Sequence, residues 1–399
     1  MPGADIVMLN RHEADVSNDE IDRATAWLKA WDAQGFHRTA TEGDAAGASW
    51  LANEVARLGA RPAIEEFALD RLDPIAAFLE IDGARIDGVP MFDAPSTGAA
   101  GIAGSLGQAG SAAAIGVVEL SPHAVYAPDY EKLRRDARHD ALAVVCSGIW
   151  PGIGLLNAER FRGPYGAPAI QVSSEARETV FAAAERGAEA RLVAESRRTR
   201  RRAVNVVATI PGRDPFRAPV VVMTPRSSWW QSTAERGGGL GCWLETLRAL
   251  IAAPPAPEVV FTANSGHELG HLGLDEFLAR RPGWQRPAAE GGAFWVHYGA
   301  NIGAAGGELS ILSSDPDAAA LAETVLARAG HPPSRIAPPS LVPSGETRDI
   351  HRAGGCYVTL VGSNPWFHLP DDRWPHSIDA AAVARIAAGA AAMVATLTR

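Results

Sequence analysis

Cysteine is scarce in this chain of 399 residues: Cys146, Cys242 and Cys356 are the whole supply, and they lie far apart. An odd, dispersed set excludes a disulfide framework and a Cys-x-x-Cys metal site, and makes a reduced, cytoplasmic setting the expectation. Positive charge is also in deficit, with 37 Lys and Arg against 46 Asp and Glu and a net charge of −9. That excludes a general nucleic-acid binder, which needs a basic face. The one basic run, Arg197–Arg202, reads as a solvated linker or domain seam, with an anion- or partner-binding patch as the other reading. No run approaches the 18 or so uninterrupted apolar residues of a membrane span, so no membrane partner is expected. The opening MPGADIVMLNRHEAD lacks the charged-then-apolar profile of a leader peptide. No internal repeat is visible.

What the chain does have is an ordinary globular balance, 47% apolar and 21% charged, over a length that suits two units. Ile21, Ala24, Leu28 and Trp31, then Ala48, Leu51, Val55 and Leu58, carry helical spacing on either side of a break at Gly43–Gly47. From about residue 70 to residue 195 short β-like runs alternate with Gly, Pro, Ala and Ser clusters, and helices are expected at Tyr130–Arg138 and Ser174–Arg186. Beyond the arginine run, strands such as Ala203–Ile210, Pro219–Met223, Glu258–Thr262, Ala293–His297 and Gly355–Val361 alternate with helices of 10 to 20 residues. Such a pattern predicts an α/β fold, a mixed and mostly parallel sheet flanked by helices, with a β-rich inserted domain. The expected division is residues 1–69 and 201–399 for the main domain and 70–200 for the insertion.

The stretch with most chemical content is Glu258–Phe277, EVVFTANSGHELGHLGLDEF. A short apolar strand turns at Asn264–Ser265–Gly266 and delivers His267 and Glu268. Ligands in such sheets sit beyond the strand ends, where Thr224, Arg226, Glu235, Arg236, His297, Glu346, Arg348 and His368 also fall. The same stretch spells His-Glu-x-x-His (His267, Glu268, His271), which on a helix would be a zincin metalloprotease motif. Against that, the motif follows a strand and a Ser-Gly turn instead of lying inside a helix. His271 is therefore read as structural.

Five stretches resemble the M28 zinc peptidases, the co-catalytic aminopeptidases that also include single-zinc glutaminyl cyclases. They are AVNVVATIPG (Ala203–Gly212), VVVMTPRSSWW (Val220–Trp230), STAERGGGLGCWLETLRAL (Ser232–Leu250), FTANSGHELGHLG (Phe261–Gly273) and NPWFHLPDD (Asn364–Asp372). The insertion resembles a protease-associated domain, best at GPYGAPAIQVSS (Gly163–Ser174). By this resemblance Glu268 and His368 stand at metal-ligand positions, Glu235 at the bridging carboxylate, and His297 near another ligand. Thr224 stands where a ligand His is expected, Arg226 at an Asp, His267 at the general-base Glu, and Arg236 at an Asn.

The resemblance thus implies one zinc ion or none, held by Glu235, Glu268 and His368 with His297 as a further candidate, and His267 as base beside a metal water or, without metal, His267 and Glu268 as a catalytic acid–base pair. Arg226 and Arg236 suit a carboxylate or another anion, or else pair with Glu235 or Glu346. Trp229, Trp230 and Trp366, with Trp295 and Trp374, lie in the same loops and suit an aromatic substrate wall. The expected function is hydrolysis of an amide or peptide bond in a small carboxylate-bearing or aromatic substrate, with Arg226, Arg236, Trp229, Trp230, Glu346 and Trp366 as substrate contacts. A catalytically inactive pseudo-peptidase that binds a partner, and the zincin, remain as alternatives.

Overall fold

The computed structural model describes residues 16–136 and 138–399; the N-terminal stretch read above for a leader lies outside the described residues. Helix α1 (Asn18–Asp32) starts in a capping box. The Ser17 hydroxyl accepts from the Glu20 amide while the Glu20 carboxylate accepts from the Ser17 amide. Its apolar stripe buries Trp27, Leu28 and Trp31. Helix α2 (Glu42–Arg57) is capped by Thr41 and contains Gly43 and Gly47, so the expected break there does not occur. Gly43 is needed for contact: a Cβ on it would lie 1.9 Å from the Phe36 carbonyl oxygen.

Two long strands organise the next part of the chain. Strand β1 (Pro62–Ile81) pairs antiparallel with β7 (Glu189–Ile210) along almost its whole length, with one register shift near Pro74–Ala76. Between them in sequence come β2 (Ala84–Pro90), β3 (Ile102–Gln108), β4 (Ile115–Leu120), helix α3 (Tyr130–Arg134), β5 (Ala141–Cys146), β6 (Ala169–Val172) and helix α4 (Arg177–Glu185). The pairings β1–β2–β6–β5–β4–β3–β7–β1 close a ring. Leu79, Ile115, Val145, Ile170 and Leu192 share its apolar cluster with Val180 and Ala183 of α4. Arg197–Arg202 is therefore no linker. It lies mid-way along β7, where Arg200 meets Asp70 and Arg202 meets Glu66 across the β1 register.

The main sheet continues from β1 and β7 through β8 (Val220–Pro225), β9 (Val259–Asn264), β10 (Phe294–Tyr298), β11 (Leu309–Ser313), β12 (Arg335–Ile336) and β13 (Cys356–Gly362), in the spatial order β1-β7-β9-β8-β10-β13-β11-β12. Strand β11 was not apparent in the sequence pattern. Strands β9, β8, β10 and β13 are mutually parallel, and β7 and β11 pair antiparallel at their flanks. Helices α5 (Gly238–Ala252), α6 (Leu272–Arg280), α7 (Pro316–Arg328), α8 (Thr347–Arg352) and α9 (Ala380–Leu397) complete the fold.

Alternation along the strands decides which face each residue serves. Val220 and Val222 pack with α1, α2, α5, α7 and α9, while Val221 and Met223 pack with Leu274 and Phe277 of α6 and Ile350 of α8. By length and composition α9 is apolar enough to cross a membrane, which the sequence pattern did not register. Val383, Ile386, Ala390 and Val394 are buried, as in a core helix of a globular protein.

Candidate functional site

Because β8, β9, β10 and β13 run in one direction, their C-terminal ends open on one edge of the sheet. The loops there carry Arg226 to Arg236, Ser265 to His271, Asn301 and His368. Their backbone is strained: Ser232, His271, Asn301 and His368 all hold left-handed φ values of 51° to 68°. Thr233–Gly237 makes one turn of π-helix leading into α5. Asp372 fixes that turn, accepting from the amides of Ala234 (2.7 Å) and Glu235 (2.9 Å). Burial pushes its carboxyl up to about 6 against those donors. Gly238 follows because no side chain fits there; a Cβ would lie 1.8 Å from the Ile302 carbonyl oxygen.

Glu235 thereby enters a fully buried chamber. Its Oε1 lies 2.7 Å from Arg236 Nη2 and 3.3 Å from His368 Nε2, yet neither oxygen makes an aligned hydrogen bond. Burial pushes the carboxyl up, but Arg236 and then His368 overcome this and hold it at about 2. Arg236 donates from Nε to the Ser227 carbonyl (2.7 Å), leaving Nη1 and Nη2 without aligned acceptors. His368 Nδ1 is 2.5 Å from the Leu155 carbonyl, so Nδ1 carries the proton and Nε2 faces Glu235.

His267 belongs to the other side of the chamber. Its Nδ1 lies 2.9 Å from Glu346 Oε2, and His297 Nε2 lies 3.6 Å from the same oxygen. None of these atoms, nor the second Glu346 oxygen, has an aligned hydrogen-bond partner. Burial drives the His267 pKa down to about 4 despite Glu346, and Arg236 adds to the fall. Glu346 stays well below the carboxylate range because His267, chiefly, outweighs the cost of burial. At neutral pH the pair is a neutral imidazole against a carboxylate. His271 joins them, its ring 5.3 Å from that of His267. Burial opposes its protonation, but the Asp349 carboxylate 2.7 Å from Nδ1 prevails and raises its pKa.

Several expected roles change. Glu268, expected as metal ligand and catalytic residue, is consumed elsewhere: Oε1 accepts from the Thr39 amide (2.8 Å) and hydroxyl (2.6 Å), Oε2 from the Ser227 hydroxyl (2.5 Å). Arg226, expected on substrate, is fully buried against Asp44 (2.8 Å) and donates to the carbonyls of Asp44 and Val204. His297 sits with Glu346 and not with Glu235, and Glu346 itself is at the heart of the histidine group, not on a substrate wall. Thr224 donates to the Tyr298 carbonyl (2.8 Å). His267, Glu268 and Leu269 form a short 3-10 turn, and His271 in left-handed conformation precedes α6, so no helix carries the His-Glu-x-x-His motif.

Trp229 and Trp230 line a cavity of about 660 Å³ with Phe36, Phe92, Arg38 and Arg71. This cavity touches the chamber through Leu155 and through Trp230, whose indole donates to the His368 carbonyl (2.8 Å). Trp366 lies apart, stacked on Trp150 at 6.3 Å, and Trp295 is a core residue. Sequence reasoning missed Thr39, Asp44, Thr347 and Asp349, which stand in no motif, and Ser227, which lies inside Val220–Trp230 without a role there; His271 is visible in the i, i+4 spacing.

No protein-family model and no curated protein sequence matches the chain. Solved structures do. BSAP, a zinc aminopeptidase from Bacillus subtilis, superposes with a TM-score of 0.75 over 98% of this chain and 97% of its own, at 17% identity. The chain shares the fold of this zinc aminopeptidase. A peptidase M28 precursor from Shewanella amazonensis SB2B (TM-score 0.72, 15% identity, 96% of this chain and 98% of its own) has it too. So has an aminopeptidase from Aneurinibacillus sp. strain AM-1 (0.70, 14%, 97% and 95%). Within this shared fold, the donor set that the sequence resemblance implied for zinc does not fit here. Glu268 is spent on protein hydrogen bonds, and the Arg236 guanidinium occupies the near side of Glu235.

Proposed function

We propose that the chain is a hydrolase of an amide or peptide bond in a small carboxylate-bearing or aromatic substrate, working with one metal ion or none. The observation that supports this most directly is the cost left standing in the chamber. Glu235, Arg236, His267, His297, Glu346 and His368 all bury polar atoms without aligned partners. Each such atom forfeits about 1–3 kcal/mol, which folded proteins accept mainly where a ligand completes the site.

In this reading Arg236 presents Nη1 and Nη2 to the substrate carboxylate or to the oxyanion that forms at the scissile carbonyl. His368, its Nδ1 proton held by the Leu155 carbonyl, takes the proton of the attacking water at Nε2. Glu235 beside it stabilises the imidazolium. The same proton passes to the leaving amine as the C–N bond breaks, so that water is divided between acid and amine products. The cavity walled by Trp229, Trp230 and Phe92 accommodates an aromatic group, and Arg38 and Arg71 at its rim suit an anionic one.

A panel of aminoacyl and N-acyl-amino-acid amides, with and without a free carboxylate, tests this reading. Turnover of carboxylate-bearing amides, lowered about 10²–10⁴-fold in His368→Ala, is expected. Equal turnover by wild type and His368→Ala would remove the mechanism. A second reading, a binding protein without catalysis, is favoured by Arg236, whose guanidinium stands where a cation would otherwise neutralise Glu235. Tight carboxylate binding with no turnover of any amide selects it.

A further inference from the structure

Three histidines and one glutamate on the far side of the chamber are arranged in a way that hydrogen bonding alone does not explain. His271 enters from a left-handed backbone position, φ 61°, at the start of α6. Its Nδ1 is bound to Asp349, so its Nε2 lone pair points into the protein, buried and without a partner. His297 stands near the end of β10 with Nδ1 2.6 Å from the Thr347 hydroxyl, which in turn lies 2.9 Å from that of Thr359. Its Nε2 is likewise buried and unpaired. Glu346 is fully buried just before α8, and neither of its oxygens has an aligned hydrogen-bond partner. One donor atom each from His267, His271 and Glu346 lies within 4.8 Å of the other two.

We propose that this group is a metal site: one divalent ion of the zinc class, held by His267, His271 and Glu346 with His297 as a fourth donor. Imidazole nitrogens with one carboxylate are a zinc donor set, and zinc–nitrogen bonds of about 2.0 Å put neighbouring donors roughly 3.3 Å apart in a tetrahedron. The Glu346 oxygen is already 2.9 Å and 3.6 Å from His267 and His297. Asp349 and Thr347 occupy the outer positions that fix tautomer and ring orientation in metal-binding histidines.

A single imidazole–carboxylate pair between His267 and Glu346 would leave the Nε2 atoms of His271 and His297 facing a buried space with no donor, and an ion satisfies both. The position is distinct from the one the sequence resemblance implied, at Glu235, Glu268 and His368. There the Arg236 guanidinium already stands 2.7 Å from Glu235 and takes the place of an ion. The inference deepens the hydrolase reading and rests on it for the ion's use, which would be Lewis acidity beside Glu235 and His368 once His297 yields its position to substrate.

The test is equilibrium dialysis of the full chain, stripped with chelator, against zinc and cobalt(II), with metal content by mass spectrometry and the visible spectrum of the cobalt form. One ion per chain is expected, with the visible bands of a four-coordinate nitrogen–oxygen site. Affinity is expected to fall more than about 100-fold in His271→Ala, and about 10–100-fold with an altered cobalt spectrum in Asp349→Asn. Glu235→Gln and His368→Ala should retain the ion. Circular dichroism verifies each variant's fold, and Asp349→Asn, at a half-exposed position, covers the case in which His271→Ala does not fold. No ion on the wild type at excess metal overturns the site, as does an ion lost in Glu235→Gln or His368→Ala but kept in His271→Ala. A bound ion without amide turnover keeps the site and removes the hydrolase reading. An ion bound as expected, with turnover unchanged in the metal-free chain, keeps the site and the hydrolase reading and removes only the ion's Lewis-acid use.

Discussion

Glu268 and Glu346 are both completely buried, both near His267, and opposite in their surroundings. Glu268 is tied by Thr39 and Ser227 into a knot whose hydroxyls also receive the amides of Gly266 and His267. Next to it Asp44 holds Arg226, the Ser265 hydroxyl and the Ala40 amide. Glu346 faces His267 and His297, at distances suited to charge but without aligned hydrogen bonds. One carboxylate has been absorbed into the scaffold and the other is held in reserve. The position in a motif did not distinguish them; the count of satisfied lone pairs does.

Breaking the scaffold side should have the largest effect. Arg226→Ala leaves Asp44 buried and unpaired and is expected to cost about 3–5 kcal/mol in denaturant unfolding. A loss below 1 kcal/mol would mean that the Arg226–Asp44 pair is not part of the scaffold. Glu268→Gln turns an amide toward the Thr39 or Ser227 donors and is expected to cost about 2 kcal/mol or more. Glu346→Gln should cost less than half of that, so equal losses at the two positions would erase the contrast.

A third measurement concerns acid. His37, stacked on Trp31 at 3.5 Å, has its pKa driven to about 3 by burial, against an ordinary value of 6.5. The unfolded chain therefore takes up this proton first, and stability is intact above pH 6.5 and lost as pH falls from 6.5 toward 3. Relative to His37→Phe, the wild type is expected to lose about 1.4 kcal/mol per pH unit in that window. Parallel pH profiles for the two proteins would show that His37 is not held neutral.

The smallest effect is expected at the cavity. Trp230→Ala removes its wall and the donor to the His368 carbonyl, and should raise KM for aromatic substrates about tenfold with little change in stability. A fall in kcat alone would place Trp230 with the chemistry instead.

The sheet was legible because alternation of Val220 to Met223 and of Val259 to Thr262 serves two buried faces, and because helical spacing recurs between the strands. The edge of the site was legible too, since Ser265–Gly266 ends a strand and must present His267. The ligation was not. Glu268 loses its expected role to Thr39, which lies 229 residues away and follows no pattern. Arg226 loses its role to Asp44 for the same reason. His271 was discounted because no helix was expected under the motif; none is there, yet two left-handed residues, Gly270 and His271, bring the same two rings together.

The long pairing of β1 with β7 has a consequence for how this molecule can be taken apart. An inserted domain commonly hangs on two flexible tethers and can be exchanged as a cassette. Here the tethers are the strands themselves, hydrogen-bonded from Pro62–Ala208 to Ile81–Ala190 without leaving the sheet. Excising residues 70–200 would cut both strands in mid-run and leave only the short ladder from Pro62–Ala208 to Leu69–Arg201 beside β9. Any rotation of the closed ring against the main sheet must likewise travel as twist along two stiff ribbons. The ring is a lever bolted to the main sheet, not a pendant on a string.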